Sequence, residues 1–236
     1  MKDKFTTVCI IGLPRSGTTH LVASLQDFGN GNFANGVRGE IHEGWGQNVR
    51  EWHGDVKGCT HIDYKYKVIK NPLIIPRLEL FMEDLLTLKS LEPNTLFLVC
   101  LRNYNDALFS LHSLWKDGPH KADIDYDEDY LVFLENKLES YKKVEENILK
   151  CKKLLKDMLV INHEDTILKT HPEKIISDLN IDYHNERRLE WEPYNFNLQQ
   201  EQSQKFVNLD LEEAYLRMLS NPEIKSITYQ NKKVDW

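Results

Sequence analysis

The chain has 236 residues, 41% of them apolar and 10% aromatic, which is enough to build a folded core and argues against disorder. Its formal net charge is −7, and this argues against a general nucleic-acid binder because phosphate backbones select a net basic surface. No apolar run approaches the ~18–20 residues that cross a bilayer. Four widely spaced cysteines and the lack of an apolar leader favour reduced thiols in a cytoplasmic protein.

The first elements in chain order are predicted to be a buried strand, a turn and a helix. Residues 6–12 are apolar and β-branched and end in glycine, as buried strands do. Two glycines and a proline break regular structure over residues 12–17. Apolar side chains three or four residues apart then predict a helix over residues 18–28. Residues 29–63 show no clear period, apart from one short predicted helix near residues 45–52.

Strands and helices alternate through most of the remaining chain. The longest predicted helix, residues 128–155, carries one stripe of apolar side chains at steps of three or four. The other predicted elements are strands at residues 66–69, 95–101 and 158–161, and helices at residues 77–91, 106–115, 172–179 and 211–219. This alternation predicts an α/β fold in which a parallel central sheet is flanked by helices. We expect one domain over residues 1–236, with a core in 1–180 and a helical and irregular extension in 181–236.

The turn after the first strand has the layout of a phosphate-binding loop. It reads Gly-Leu-Pro-Arg-Ser-Gly-Thr-Thr over residues 12–19 and leads directly into a helix. Backbone N–H groups of such a turn point inward and the helix N-terminus adds partial positive charge, so an anion is the expected ligand. The Walker A pattern needs a lysine where Thr18 stands, and the loop offers Arg15 instead. This departure from the Walker A pattern disfavours a kinase. The alternative to an anion-binding loop is a glycine-rich turn that binds no ligand.

The loop resembles the 5′-phosphosulfate loop of the sulfotransferases that use 3′-phosphoadenosine 5′-phosphosulfate (PAPS). Bacterial members and the tyrosylprotein branch of that family carry the same Pro-Arg-Ser-Gly-Thr-Thr as residues 14–19. The family also binds the 3′-phosphate through an arginine at a strand end and a serine eight residues later. Arg102 and Ser110 have that spacing, although residues 103–106, Asn-Tyr-Asn-Asp, depart from the family's Asp-Pro-x-Asp.

A further match follows in the family's order along the chain. Residues 158–165 resemble the family's late strand with its Tyr-Glu-Asp-Leu-like end, where Glu164 and Asp165 are expected to have structural roles. The family's adenine-side Arg-Lys-Gly segment is not evident in the sequence. The resemblance implies a P-loop nucleotide-kinase-like sulfotransferase fold with PAPS as the cofactor. The cofactor-binding residues that it implies are Pro14, Arg15, Ser16, Gly17, Thr18, Thr19, His20, Arg102 and Ser110.

The resemblance also suggests which residues take part in the transfer. Val-Arg-Gly-Glu over residues 37–40 resembles the tyrosylprotein branch, whose Gly-Glu pair supplies the base, so Glu40 is the expected base. His42 and Glu43 are alternatives, and an unperturbed histidine has the more suitable pKa. Lys70, at the end of the second strand, would donate to the leaving oxygen between sulfur and the 5′-phosphate. Arg15 completes the predicted catalytic set.

The expected activity is direct, in-line transfer of a sulfuryl group from PAPS to an acceptor hydroxyl or amine, with release of adenosine 3′,5′-bisphosphate. We expect a small molecule or carbohydrate as acceptor, no metal requirement, no nucleic-acid partner and no membrane span. Five aromatic-type residues either stack on the acceptor or simply pack the irregular region: Trp45, Trp52, His53, Tyr64 and Trp115. Two alternatives remain open, a P-loop kinase of a small metabolite and a nucleotide-binding protein without catalysis.

Overall fold

A four-stranded parallel sheet forms the centre of the fold. The computed structural model describes residues 5, 7–18, 21, 68–117, 129–164, 179 and 207–229. Within them lie the strands β1 (Thr7–Gly12), β2 (Val68–Asn71), β3 (Thr95–Leu101) and β4 (Met158–Asn162). Their order in the sheet is β2-β1-β3-β4, and each neighbouring pair is parallel, as the alternation of strands and helices predicted.

Helices pack against this sheet and complete an α/β fold, which confirms the predicted class. The described helices are α1 (Leu78–Leu91), α2 (Tyr104–Asp117), α3 (Tyr130–Lys142), α4 (Val144–Leu154), α5 (Leu209–Ser220) and α6 (Pro222–Lys225). One face of the sheet, with Ile11 and Val99, packs into a single apolar core with side chains from all these helices. On the other face, Ile10 and Leu98 are at most 1% exposed. Burial on both faces explains why the strands are continuously apolar rather than alternating.

The predicted single helix over residues 128–155 is wrong, because the structure divides it at Lys143 into α3 and α4. Lys143 has φ −83° and ψ −7°, close to helical values, and is followed at once by the new helix. Tyr141, Val144 and Ile148 therefore remain buried in the same core across the break. A stripe of apolar residues indicates which face of a helical segment is buried. The break at Lys143 leaves that face unchanged, so the apolar pattern does not reveal the break.

Side-chain caps and strand pairing set two boundaries that the apolar pattern missed. α2 begins at Tyr104, two residues before its predicted start. The cause is Asn103, whose side-chain oxygen accepts the backbone N–H groups two and three residues further on, at 3.0 and 3.3 Å. β2 continues two residues beyond its predicted end, because Asn71 still pairs with Ile11 of β1.

The C-terminal residues 207–229 pack against the sheet and its helices. The helix predicted over residues 211–219 is present as α5, and α6 follows it as an element that the sequence did not predict. Val160 in β4 donates its N–H to the Ile227 carbonyl oxygen at 2.8 Å and accepts the Tyr229 N–H at 2.9 Å. These bonds satisfy backbone groups on β4 that an uncovered sheet edge would leave exposed for pairing with another chain.

The remaining structural predictions concern thiols, membrane spans and two short helices. The described cysteines are free and buried, as predicted: Cys9, Cys100 and Cys151. Burial raises the pKa of the Cys151 thiol to about 12. No helix within the described ranges is long and apolar enough to cross a membrane. The helices predicted at residues 45–52 and 172–179 lie outside the described residues, except for the buried Leu179.

Candidate functional site

The order of the strands gives the sheet a switch point at the carboxyl ends of β1 and β3. β1 lies between β2 and β3, so the chain leaves β1 toward one side of the sheet and leaves β3 toward the other. Open parallel sheets bind ligands at such a switch point, outside the carboxyl ends of the strands. The predicted phosphate loop follows β1, and Arg102 follows β3. The topology therefore brings both predicted motifs to the same edge of the sheet.

Gly12 allows the phosphate loop to start directly against β3. Its φ is +146°, a backbone conformation that residues with a side chain rarely adopt. A Cβ at this position would lie 2.1 Å from the carbonyl oxygen of Cys100. The next residue, Leu13, donates its N–H to the same oxygen at 3.0 Å. The backbones of β1 and β3 therefore approach each other at these ends more closely than any residue with a side chain at position 12 would permit.

The phosphate loop is a tight turn that leads into a helix. The Ser16 hydroxyl donates to the carbonyl oxygen of Leu13 at 2.6 Å, and the Ser16 N–H donates to the same oxygen at 3.3 Å. Gly17 has φ +84°, Thr18 is helical, and the Leu21 N–H donates to the Gly17 carbonyl oxygen at 3.2 Å. In this structure the Ser16 hydroxyl stabilises the loop itself, whereas the resemblance predicted a contact with the anion.

Arg15 is the strained residue of this loop. Its φ is +64°, a left-handed conformation that costs a non-glycine residue about 1–2 kcal/mol. Such strain persists only where surrounding contacts hold it, and it clusters at functional sites. Here Nη1 of Arg102 donates to the Arg15 carbonyl oxygen at 3.1 Å, and Nε of Arg15 donates to the Ser110 hydroxyl at 3.0 Å. Three residues predicted from two separate motifs are therefore in direct contact.

The three contacting residues concentrate hydrogen-bond donors at one place. Arg102 and Ser110 are each 3% exposed, whereas Arg15 is exposed to solvent. A buried cation is costly unless partners compensate it, so a buried arginine at a strand end is well suited to an anionic partner. Guanidinium groups bind planar oxyanions through a fork of N–H donors, and a hydroxyl adds one more. The arrangement can hold an oxyanion against Arg102 and Ser110.

Lys70 lies at the carboxyl end of β2, the strand next to the phosphate loop. It pairs with Ile10 in the sheet and is only 6% exposed. Burial raises the pKa of the Cys100 thiol, and the Lys70 ammonium opposes that shift, which places its charge near the end of β3. The neighbouring Asn71 is fully buried and accepts the Leu73 N–H at 2.9 Å, and its Nδ2 makes no hydrogen bond among the described residues. A buried ammonium and a buried amide therefore lie together at the carboxyl end of β2.

Glu164 supports the turn after β3 from the end of β4, in the structural role expected for it. Its Oε1 accepts the backbone N–H of Asn103 at 2.9 Å, and its Oε2 accepts the Tyr215 hydroxyl at 3.0 Å. Burial raises the pKa of the Glu164 carboxyl, although these two donors and the Arg102 guanidinium oppose the shift. The carboxylate is therefore electrostatically coupled to the cation that is predicted to bind the 3′-phosphate.

Replacing Glu164 with glutamine should change how stability depends on pH. Because folding raises this pKa above its ordinary value of 4.5, the wild type loses stability as pH rises from that value through the folded pKa. Glutamine does not titrate. The free energy of unfolding of the wild type minus that of Glu164→Gln should therefore be largest in acid and decrease toward neutral pH. Urea unfolding of both proteins across this range measures the difference. A difference that stays constant, or that grows with pH, contradicts a raised pKa.

The structure describes part of the predicted site and not the rest. Pro14, Ser16 and Thr18 are buried within the phosphate loop, and Gly17 is partly exposed. Among the described residues, no group of His, Cys, Asp and Glu is arranged to hold a metal ion. The predicted residues that lie outside the described ranges are Thr19, His20, Glu40, His42, Glu43, Trp45, Trp52, His53, Tyr64 and Asp165. Neither the base nor the aromatic surface for the acceptor is therefore tested by the geometry.

Sequence reasoning missed the partners that α5 supplies to this edge of the sheet. Nδ2 of Asn103 donates to Oε2 of Glu212 at 2.9 Å, and Nδ2 of Asn105 donates to the same oxygen at 3.3 Å. Both asparagines belong to the segment that departs from the family's Asp-Pro-x-Asp. That departure from the motif was the one signal in the sequence for these contacts. A changed side chain in a motif indicates that its hydrogen-bond partner has changed, although it does not show where in the chain the new partner lies.

The chain was compared with protein-family models and with curated proteins. No family model matches it, and no curated protein matches it at a significant level. The observations that bear on its function are therefore the motifs in its sequence and the contacts at the carboxyl edge of the sheet, where Arg15, Arg102 and Ser110 meet.

Proposed function

We propose that the protein is a PAPS-dependent sulfotransferase that transfers a sulfuryl group to an acceptor hydroxyl or amine. The observation that carries this proposal is the contact of Arg15 with Ser110 and of Arg102 with the Arg15 carbonyl oxygen. The resemblance assigns Arg15 to the 5′-phosphosulfate, and Arg102 with Ser110 to the 3′-phosphate. A nucleotide with anionic groups on both sides of one ribose needs both sets of donors side by side, as they are here.

The described residues fit two separate anionic groups better than one long phosphate chain. The loop after β1 can hold one group at the start of the helix at Thr18. Arg102 and Ser110 can hold the second through guanidinium and hydroxyl donors. A triphosphate bound in a Walker loop relies on a lysine that reaches its β- and γ-phosphates, and Thr18 occupies that position. The donor set therefore favours a nucleoside bisphosphate over ATP.

The sheet topology supports the finer fold proposal, a P-loop nucleotide-kinase-like sulfotransferase fold. A phosphate-type loop joins the first strand to a helix, and it does so at the switch point of a parallel sheet. The residue that would bind the second phosphate ends the neighbouring strand β3. Both proposed anion-binding groups then lie at the same edge of the sheet.

The proposed chemistry needs positioning and charge stabilisation more than covalent participation by the protein. PAPS supplies a sulfuryl group whose bond to the 5′-phosphate oxygen breaks as the acceptor oxygen or nitrogen bonds to sulfur. Lys70 would stabilise the oxygen that gains charge, and Arg15 would orient the sulfuryl oxygens. Glu40, or His42 in its place, would take the acceptor proton. The acceptor is proposed to be a small molecule or a carbohydrate.

A transfer assay with PAPS labelled in its sulfuryl group tests the activity. Single acceptors, namely a phenol, an alkyl glycoside and an arylamine, are supplied with a chelator in the buffer. We expect label in an acceptor in amounts equal to the adenosine 3′,5′-bisphosphate released. Arg15→Ala should lower the rate by roughly 10²-fold, as removal of an electrostatic stabiliser does, whereas Arg217→Ala, at an exposed ion pair, should not.

Two other outcomes separate the alternatives. Transfer of the γ-phosphate from Mg·ATP to one of these acceptors, with no movement of the sulfuryl label, identifies a kinase. Tight binding of PAPS with no cleavage in the presence of every acceptor identifies a nucleotide-binding protein without catalysis.

A further inference from the structure

Helix α5 contacts the turn that carries Arg102. Asn103 follows Arg102 directly, and its Nδ2 donates to Oε2 of Glu212 on α5 at 2.9 Å. The backbone N–H of Asn103 donates to Oε1 of Glu164 at 2.9 Å. The second carboxylate oxygen of Glu164 accepts the hydroxyl of Tyr215, also on α5, at 3.0 Å. Two separate hydrogen-bond paths therefore join α5 to the residue next to Arg102.

Other contacts hold α5 firmly in this place. Its N-cap residue, Asn208, donates its N–H to Oδ1 of Asn105 at 3.0 Å and accepts from Nδ2 of Asn105 at 3.3 Å. The Tyr215 hydroxyl accepts from Nδ2 of Asn162 in β4 at 2.8 Å. Tyr215 and Asn162 are buried, so a broken bond leaves a polar group unsatisfied in a low dielectric, which is costly. The helix has little freedom to shift relative to the ends of β3 and β4.

We propose that Tyr215 and Glu212 are positioning residues that align Arg102 with the second anionic group of the nucleotide. These roles rest on the proposed function and extend it to a helix that the resemblance does not cover. Neither residue touches the anion; both act through Asn103, Tyr215 by way of Glu164. Because an arginine binds an oxyanion through a planar fork, a small rotation at its backbone misaligns two hydrogen bonds at once.

The phosphate loop is joined to Arg102 by the bond from Nη1 to the Arg15 carbonyl oxygen at 3.1 Å, but its turn has further supports that do not involve α5. It is held to β3 by the bond from Leu13 to Cys100, and its turn is held by the bonds from Ser16 to Leu13. Loss of a contact with α5 should therefore weaken binding of a 3′-phosphate much more than binding of a 5′-phosphate. General support of the fold predicts a different result, because it would weaken both to the same extent.

The test is the ratio of the dissociation constants of 5′-AMP and adenosine 3′,5′-bisphosphate, measured by calorimetry on the full chain. Tyr215→Phe should weaken the bisphosphate about tenfold, as expected for one hydrogen bond to a charged group, and change 5′-AMP by less than about twofold. Glu164→Ala should have the same selective effect. Glu164→Gln keeps an oxygen that can accept the Asn103 N–H but replaces the oxygen that accepts the Tyr215 hydroxyl, so its ratio should lie between those of Glu164→Ala and the wild type.

Arg217→Gln is the matched control on the same helix. Arg217 lies two residues after Tyr215, and its Nε pairs with Oε2 of Glu145 on α4 at 2.9 Å. The variant removes a polar tether of α5 without touching Glu164 or Asn103. The ratio of the two dissociation constants should stay at its wild-type value.

The outcomes separate this proposal from the proposed function. If the wild type prefers the bisphosphate and Tyr215→Phe keeps the ratio, or weakens both ligands equally, the positioning role is overturned alone. If the wild type binds the bisphosphate no more tightly than 5′-AMP, the proposed function falls and the positioning role with it. Should Glu164→Ala fail to fold, Tyr215→Phe and Glu212→Ala decide the matter, because Tyr215→Phe keeps the buried ring and Glu212→Ala removes the acceptor oxygens from a side chain that is only partly buried.

Discussion

Replacing Gly12 with alanine is expected to lower the free energy of unfolding by at least about 3 kcal/mol, since the added methyl group meets backbone atoms that cannot move aside. The new Cβ would lie 2.1 Å from the oxygen and 2.7 Å from the nitrogen of Cys100. The position also has φ +146°, which alanine rarely adopts. For a chain of this length the loss corresponds to a fall in Tm of about 6–12 °C, measured by calorimetry.

A double variant shows whether the clash is with the backbone. Cys100→Ala removes the side chain beyond Cβ but leaves the backbone atoms that Gly12→Ala would meet. The double variant should therefore be at least as unstable as Gly12→Ala alone. Recovery of Tm in the double variant, or an unchanged Tm in the single variant, contradicts the close approach of β1 to β3.

Replacing Arg102 with alanine is expected to weaken binding of adenosine 3′,5′-bisphosphate about a hundredfold, since roughly two hydrogen bonds to a charged group are lost. The same change removes the donor to the Arg15 carbonyl oxygen, which helps to hold the phosphate loop. Arg102→Lys keeps the charge but not the planar fork, so its affinity should fall between those of the wild type and the alanine variant. Calorimetric titration of the three proteins with the bisphosphate gives the order of their affinities directly.

Arg217→Ala is the control for charge, because it removes an arginine from an exposed ion pair on α5. Its affinity for the bisphosphate should equal that of the wild type. If a folded Arg102→Ala variant binds the bisphosphate as tightly as the wild type, Arg102 does not bind the 3′-phosphate.

The strands were predictable because a strand that is buried on both faces carries a strong local signal. β3 has its predicted bounds, Thr95–Leu101. Residues that disfavour regular structure precede an apolar run of strand length, and this pattern is typical of a buried strand. Two helix features were not predictable from the same pattern. The start of α2 depends on the side-chain geometry of Asn103, and the break at Lys143 contains neither glycine nor proline.

The candidate site was predictable where it depends on short spacings. Arg102 follows β3 at once, and Ser110 lies about two helical turns further on, so local sequence places both near the phosphate loop. The contacts from α5 were not predictable, because Asn103 and Glu212 are separated by 109 positions. Nothing near either residue specifies the other, and only the packing of α5 against the core brings them together.

A thermal-shift titration of the wild type with adenosine 3′,5′-bisphosphate, ATP, ADP and 5′-AMP tests most directly whether this edge of the sheet binds a nucleotide with two separate anions. A ligand that binds only the folded state adds about 2.7 kcal/mol of stability at ~100 times its Kd, or about 5–10 °C in Tm for a chain of this length. We predict selective stabilisation by the bisphosphate. Stabilisation by Mg·ATP alone, or no shift with any of the four, would contradict the proposal.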